Sequence, residues 1–300
     1  MTRLKVLTEQ NLGAALLAPR EPGNTVDYSK LRQFEYALKC TRFSIKYVLR
    51  GAEHYRVNGQ VFPVRQGEYL LLNPTCEGGG IIDDASMVSG ICINILPEMV
   101  AEVVTTLFNP ASPVAGFDLQ QFLRTADFFE NQFRTLNTRL GKMLEQFGAM
   151  VEREAQTGVV FNQAFFYTLT ENLVFDYQHV HRQLQAIPAI KATTRKDLLR
   201  KVIAGKHYMD DAFAHNIAVS DISKEAGLSE YHFFRLFKMA FQTTPYQYLL
   251  DKRLLHAHHQ LLSGHCTVSE VALATGFADI FSFSKAFKKR FGVPPSSLLT

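Results

Sequence analysis

Residues 220–245, SDISKEAGLSEYHFFRLFKMAFQTTP, are answered by residues 269–295, SEVALATGFADIFSFSKAFKKRFGVPP, and this repetition decides how the chain is read. Val219-Ser220-Asp221-Ile222 followed by Gly227-Leu228 recurs 49 residues later as Val268-Ser269-Glu270-Val271 followed by Gly276-Phe277. Beyond the glycine the offset is 50, so that Phe233, Arg235, Phe237, Lys238, Phe241 and Pro245 correspond to Phe283, Lys285, Phe287, Lys288, Phe291 and Pro295. One extra residue in the second turn accounts for the change. Each copy reads as a short helix, a glycine-centred turn and a second, amphipathic helix, which is the helix-turn-helix unit, at about 219–241 and about 268–291.

The spacing inside each copy assigns its faces. Phe233, Leu236, Phe237, Ala240 and Phe241 recur at helical intervals and form one apolar stripe, with Tyr231, Arg235 and Lys238 opposite. In the second copy Phe283, Ala286, Phe287 and Phe291 turn inward. Phe281, Lys285 and Lys288 turn outward, flanked by Ser282 and Ser284. Between the copies, Thr244-Pro245-Tyr246-Gln247 is a capping box with proline at the first helical position, and Thr267-Val268-Ser269-Glu270 is a second box. The helix opened by Thr244 runs to about Leu262 and is stopped by Gly264. At 1.5 Å per residue its roughly 18 residues span about 27 Å. Such a rod suits two reading helices spaced near one turn of duplex DNA, about 34 Å.

The C-terminal third resembles the DNA-binding domain of the AraC/XylS family of bacterial transcription regulators. The resemblance is carried by Ala226-Gly227-Leu228-Ser229, Phe234-Arg235-Leu236-Phe237-Lys238, Thr244-Pro245-Tyr246-Gln247-Tyr248-Leu249 and Arg253-Leu254. It continues through Val271-Ala272, Thr275-Gly276-Phe277, Phe283-Ser284-Lys285-Ala286-Phe287-Lys288-Lys289-Arg290-Phe291-Gly292 and Pro294-Pro295-Ser296, about 100 residues in all. Ile280 departs from it, standing where the family often has a polar residue. The resemblance implies a sequence-specific regulator whose partners are double-stranded promoter or operator DNA, RNA polymerase and a small-molecule effector.

Charge distribution fits a polyanion partner. Residues 195–300 hold 14 Lys and Arg against 9 Asp and Glu, whereas residues 1–194 hold 18 against 19. Phosphate neutralisation supplies much of the affinity of proteins for DNA, although a solvated surface would also account for an excess of five. Arg235 has the reach for a base edge, guanine by preference, or for a phosphate. Lys238, Lys285 and Lys288 suit phosphates, which set register without reading sequence. Tyr231 and Phe281 either touch thymine methyls or pack at the edge of the domain core.

Three hundred residues allow two cores. The expected domains are 1–188, with a barrel at about 40–96 and helices at about 97–187, a linker at 189–194, and the DNA-binding domain at 195–300. Cys40, Cys76, Cys92 and Cys266 are scattered and form no C-x-x-C pair, which points to a reducing cytoplasm. No run approaches the roughly 20 apolar residues of a membrane span, so a soluble protein is expected.

Residues 1–40 offer no clear pattern. From Phe43 the chain reads as strand: Phe43, Ile45, Tyr47 and Leu49 alternate with Ser44, Lys46 and Val48. Asn58-Gly59 between His54–Val57 and 60–64 is a hairpin signal. Glu68–Leu72 and 87–96 are further strands, and Gly78-Gly79-Gly80 reads as a flexible loop. Such strands build a small antiparallel barrel, and the run VLRG…YRVNGQVFPVRQGEYLLLNP looks like the cupin-like sensor domain of many regulators of this family. The fold class expected is therefore α+β: a cupin-like β-barrel with a helical layer, then an all-α domain of two helix-turn-helix units joined by a long helix.

Cupins also serve as metalloenzymes, and an enzyme with an accessory DNA-binding tail is the alternative function. A histidine-rich metal centre needs several clustered ligands. His54 is the sole histidine before His179, and Arg56 stands where an H-x-H pair needs its second ligand, so no metal and no cofactor are expected. A ligand pocket is expected instead, with Phe43, Ile45, Tyr47 and Tyr69 as candidate walls and ordinary core packing as the competing reading for each.

A helix is expected at 99–108. Leu119, Phe122, Ala126, Phe129, Phe133, Leu136, Leu140, Met143, Phe147 and Met150 then recur by threes and fours, literally a coiled-coil seam. Asn131, Thr135, Asn137, Thr138 and Gly141 argue for a break near Asn137 and a helix from there to about Gln156, with another from 162 to 185. These helices either pack on the barrel of the same subunit or form a homodimer interface.

Overall fold

The computed structural model describes residues 1–19, 21–107, 132–155, 157–264 and 266–299. The chain divides into two compact units, Met1–His181 and Arg182–Thr300. The division falls inside a helix, Gln163–Ala186, seven residues before the expected boundary at 188. The helical break itself lies between Ala186 and Ala192, where the next helix starts.

The first unit is a nearly closed, mostly antiparallel β-barrel. Its strands are β1 (Thr2–Thr8), β2 (Thr25–Lys39), β3 (Phe43–Arg50), β4 (Ala52–Val57), β5 (Gln60–Arg65), β6 (Glu68–Leu72), β7 (Glu77–Ile95), β8 (Gln132–Arg134) and β9 (Val160–Phe161). The order runs β8-β6-β3-β7-β2-β1-β9, with β4 pairing β7 and β5; among the described strands only β1 and β2 run parallel. Helices α1 (Leu12–Leu17), α2 (Pro97–Leu107), α3 (Arg139–Glu154) and α4 (Gln163–Ala186) complete it. The β4–β5 hairpin turns at Asn58 and Gly59, whose φ angles of 49° and 84° are the left-handed pair that a two-residue hairpin demands.

Two expectations need correction. The barrel does not begin near residue 40: β2, within the stretch without a clear pattern, pairs with β7 almost throughout its length. Its alternation is obscured because Asp27 and Ser29 line a cavity, while Val26 and Tyr28 are buried on the other face. Nor is Gly78-Gly79-Gly80 a loop. It lies within β7, hydrogen-bonded to β4 on one edge and β2 on the other. A Cβ at Gly78 would stand 1.8 Å from the Arg56 carbonyl oxygen, and one at Gly80 2.6 Å from the Tyr36 ring, so the glycines supply space, not flexibility.

The expected break near Asn137 is present in the run of threes and fours, whose first four positions, 119–129, lie outside the described residues. Phe133 is on a strand, stacked 5.2 Å from Tyr69, and Leu136 is 73% exposed in a 3-10 turn. The helix begins only at Arg139, with Thr138 as its N-cap, where a break was expected. Leu140, Leu144, Phe147 and Val151 form its buried face. Gly148 lets it approach the barrel, since a Cβ there would lie 2.4 Å from Leu49 and 3.0 Å from Tyr47. That places α3 on the barrel of its own chain.

The second unit contains α5 (Ala192–Ala212), α6 (Val219–Glu225), α7 (Glu230–Phe241), α8 (Pro245–Leu262), α9 (Val268–Ala274) and α10 (Ile280–Phe291). The sequence repeat is repeated in its hydrogen bonds. Gly227 N–H donates to the Lys224 carbonyl and Leu228 N–H to Ser223; 49 residues on, Gly276 donates to Leu273 and Phe277 to Ala272. Ser229 caps α7 and Asp279 caps α10, 50 apart, so the extra residue is Ala278. Gln242 and Gly292 end the two helices in the left-handed region, each donating to a lysine carbonyl four residues back. Both expected capping boxes form, Thr244 with Gln247 and Thr267 with Glu270.

The two copies bury their stripes at different places. Phe233 reaches α5 at Gly205, where a Cβ would come within 2.4 Å of its ring, and Phe237 lies against Phe241 and Tyr248. The second copy closes a core of Leu254, Ala257 and Leu261 from α8 with Val271, Ala272, Phe283 and Phe287. Polar ties hold α8 to the end of α5. Buried Asp210 accepts from Lys206 at 2.8 Å, from the Tyr248 hydroxyl at 2.6 Å and from Lys252. The Arg253 guanidinium donates to the Phe213 and His215 carbonyls, both at 2.7 Å.

Burial alone would raise the Asp210 pKa, but Lys206, Lys252 and Tyr248 hold it down at about 2, against 3.8 for an unperturbed aspartate. A depressed folded-state pKa stabilises above the unfolded value and loses that contribution as pH falls towards the folded one. Asp210→Asn should therefore cost on the order of 2 kcal/mol near pH 7. In thermal unfolding from pH 7 to pH 2, the gap to the wild-type chain should narrow below about pH 4. The two turn glycines make a second test. Both have positive φ, but a Cβ on Gly227 meets nothing, whereas one on Gly276 would lie 2.9 Å from the Ala214 carbonyl oxygen. Gly227→Ala should cost about 1 kcal/mol and Gly276→Ala clearly more, as measured by denaturant unfolding.

Candidate nucleic-acid interface

Burial of the phenylalanine stripes fixes what α7 and α10 leave in solvent. On α7, Phe233, Leu236, Phe237 and Ala240 are buried, and Tyr231, Arg235 and Lys238 are exposed, Tyr231 by 74%. On α10, Phe283 and Phe287 are buried, while Phe281 is 83% exposed and Ser282, Lys285 and Lys288 stand in solvent. Ser284 is half-buried at the flank. A large aromatic ring left in water on each helix, beside cations, suits base edges and phosphates better than it suits a packed core.

The starts of the two helices differ chemically. Ser229 offers α7 a neutral hydroxyl, accepting from the His232 N–H. At α10 the Asp279 carboxylate accepts from the backbone N–H groups of Phe281 and Ser282, both at 2.8 Å, and from the Ser282 hydroxyl. Those bonds, the Ser282 backbone N–H first, hold its carboxyl below the usual aspartate range, so the cap is an anion. The positive end of the α10 dipole is thus already matched, and Ser282 serves the cap. Of Lys288-Lys289-Arg290, the last is engaged, its guanidinium donating to Asp251 on α8.

Sequence reasoning missed Glu230, which adds a carboxylate to the first turn of α7. On α8, half-buried His258 packs 4.6 Å from the Phe291 ring, and exposed His256 lies 4.9 Å from Phe213. Burial, followed by His259 and Lys252, pushes the His256 imidazole down.

Among the described residues of the barrel, two cavities share part of their lining, and the four residues expected to line a pocket line neither. Phe43, Ile45, Tyr47 and Tyr69 are buried, but strand parity sends Phe43, Ile45 and Tyr47 to the face opposite Ser44 and Lys46. Tyr69 donates to the Thr138 hydroxyl and stacks on Phe133. A polar cavity of about 330 Å³ is bounded by Asp27, Ser44, Lys46, Cys92 and Asn94, together with Arg3, Lys5 and Arg42. A smaller one, about 140 Å³, is bounded by Leu31, Phe34, Ile82 and Ile91 and shares Asp27, Tyr36, Lys46 and Cys92 with the first. His54 is exposed on β4, paired with Pro63. Among the described residues no three His, Cys, Asp or Glu side chains gather as a metal site would need, and no helix is long and apolar enough to cross a membrane.

Comparison with known proteins bears on both units. An AraC-like ligand binding domain model matches residues 38–149, and a helix-turn-helix domain model matches 222–300. The probable transcriptional regulator LumQ of Photobacterium leiognathi is 34% identical over 90 residues, 30% of this chain and 36% of that one. The HTH-type transcriptional regulator ExsA of Pseudomonas aeruginosa is 27% identical over 109 residues, 36% and 39% of the two chains. The chain thus matches little more than a third of the length of these relatives. The uncharacterized HTH-type transcriptional regulator YbfI of Bacillus subtilis is 22% identical over 79% of this chain and 77% of its own. Among solved structures, the C-terminal domain of AraT from Geobacillus stearothermophilus is 24% identical at a TM-score of 0.32, covering 33% of this chain and 83% of that one. ToxT from Vibrio cholerae is 13% identical at 0.35, covering 94% and 97%. With a helix-turn-helix model on the duplicated tail and an AraC-like model on the barrel, the chain belongs to the AraC family of transcriptional regulators.

Proposed function

We propose that the chain is a sequence-specific transcription regulator in which a small ligand in the barrel governs how α7 and α10 engage promoter DNA. The carrying observation is the pair of amphipathic helices, each buried through its phenylalanines and each presenting an aromatic ring and cations to solvent. In this reading the two helices enter adjacent major-groove segments. Arg235 contacts a base edge, Lys238, Lys285 and Lys288 contact phosphates, and Tyr231 and Phe281 meet thymine methyls. Ser282 and Ser284 flank that surface, Ser282 acting through the α10 cap. Coupling requires a ligand with different affinity for two arrangements of the chain. RNA polymerase, a second copy of the chain and a cytoplasmic setting complete the proposal by family resemblance. The alternative, a metalloenzyme with a DNA-binding tail, finds no metal-ligand cluster in its favour among the described residues.

Binding-site selection on genomic fragments, with and without candidate metabolites, tests the reading directly. On the selected fragment, Arg235→Ala should cost about 1–3 kcal/mol of affinity and relax preference at one base position. Lys285→Ala should weaken binding to all sequences and lower the slope of log K against log salt by about one unit. Unchanged affinity and base preference in Arg235→Ala, or an unchanged slope in Lys285→Ala, would overturn the assigned roles.

A further inference from the structure

Both barrel cavities are lined by Lys46, along with Asp27, Tyr36 and Cys92. Lys46 is only 8% exposed. Its Nζ lies 3.0 Å from the Sγ of Cys92, its cross-strand neighbour, and 5.6 Å from the centre of the Tyr36 ring. Among the described residues no carboxylate oxygen comes within 4.0 Å of it. Two acids share the interior. Glu53 accepts the Tyr55 hydroxyl, and Asp27 faces both cavities. Burial is the largest influence on each and pushes both towards the neutral form. A buried cation in direct contact only with a thiol and a ring face, its nearby acids beyond ion-pair distance, carries a desolvation cost that an opposite charge against it would relieve.

The surroundings repeat the imbalance. Arg3, Lys5 and Arg42 also line the polar cavity, against Glu21 and Asp27. Lys5 donates to the Ala15 carbonyl at 3.3 Å and Arg42 to the Glu21 carbonyl at 2.6 Å, which satisfies donors without neutralising charge. The cavity's 330 Å³ lies in the range of small-molecule sites. Beyond Lys46 the smaller cavity is walled by Leu7, Leu12, Leu31, Phe34, Ile82 and Ile91. Its 140 Å³ has room for about five water-sized groups.

We infer that the ligand of this barrel is a small organic acid, its anionic group against Lys46 and within the field of Arg3, Lys5 and Arg42, its short apolar portion among Leu31, Phe34, Ile82 and Ile91. The inference rests on the ligand-binding reading of the barrel and names the class of ligand. A neutral polyol would fill the polar cavity but leave the ammonium unmatched. An inorganic anion would match the charge and leave the apolar annex unused.

Titration calorimetry on the full chain tests this with a series of straight-chain carboxylates from acetate to decanoate, alongside hexan-1-ol, glucose and inorganic phosphate. Hexanoate is expected to bind and the other three to bind at least about thirtyfold more weakly. Lys46→Met should leave the unliganded chain as stable as before or more so, since it removes an unmatched charge, and should weaken hexanoate by about thirtyfold or more. Arg42→Ala, at a part-exposed position, should weaken it several-fold with circular dichroism unchanged, and keeps the test decisive should Lys46→Met fold poorly. Hexan-1-ol or glucose binding as well as hexanoate, or hexanoate affinity unaltered in both variants, overturns the organic-acid class while leaving a ligand-binding barrel. Phosphate binding as tightly as hexanoate overturns the role of the apolar annex. Silence from every carboxylate and every neutral compound overturns both the class and the ligand-binding reading beneath it.

Discussion

One helix has to serve as core for two domains' worth of phenylalanine. The α8 rod contributes Tyr248 to the aromatic group of the first helix-turn-helix and Leu254, Ala257 and Leu261 to the core of the second. Each fully buried phenylalanine contributes roughly 1.5–3 kcal/mol over the exposed state, so the stripes cannot be released cheaply. Their burial is also what turns Arg235, Lys238, Lys285 and Lys288 outward, because a helix that commits one face to a core has no freedom in what the opposite face presents. The surface chemistry of the tail follows from its packing.

How much of this was legible depended on how local the determinant was. The repeat, its glycine turns and the threonine caps are written in residues three to six apart, and the structure reproduces them to the level of individual hydrogen bonds. The ties that seat α8 were not legible. Asp210 meets Tyr248 and Lys252 across some forty residues, and no periodicity announces an ion cluster of that kind. The close approach of Gly205 to Phe233 was hidden for the same reason, since a glycine in a helix reads as a weakness until its neighbour is known.

In the barrel the difficulty was parity. Alternation tells which residues share a face, and β3 alternates plainly, but it does not say which face looks inward when both are covered. The aromatic and aliphatic set, Phe43, Ile45 and Tyr47, was the natural choice for a cavity wall, yet Ser44 and Lys46 point into the barrel and the apolar set lies on the face that Gly148 of α3 approaches. The polar interior also disguised β2, because Asp27 and Ser29 interrupt what would otherwise be a recognisable buried strand. The glycine triplet misled in the opposite sense, resembling a hinge while sitting in the most crowded part of the sheet.

The unlike caps of α7 and α10 give the tail a direction. Two helix-turn-helix units linked in tandem along one rod are not exchanged by any twofold axis, and here one begins with a hydroxyl while the other begins with a carboxylate. With Glu230 in the first turn of α7 both starts carry a carboxylate, but only at α10 is it the capping group itself. On the proposed reading, a single copy of such a chain would distinguish its target from the same target reversed, so that a palindrome would not be required and the orientation of the target relative to a transcription start would become part of the message.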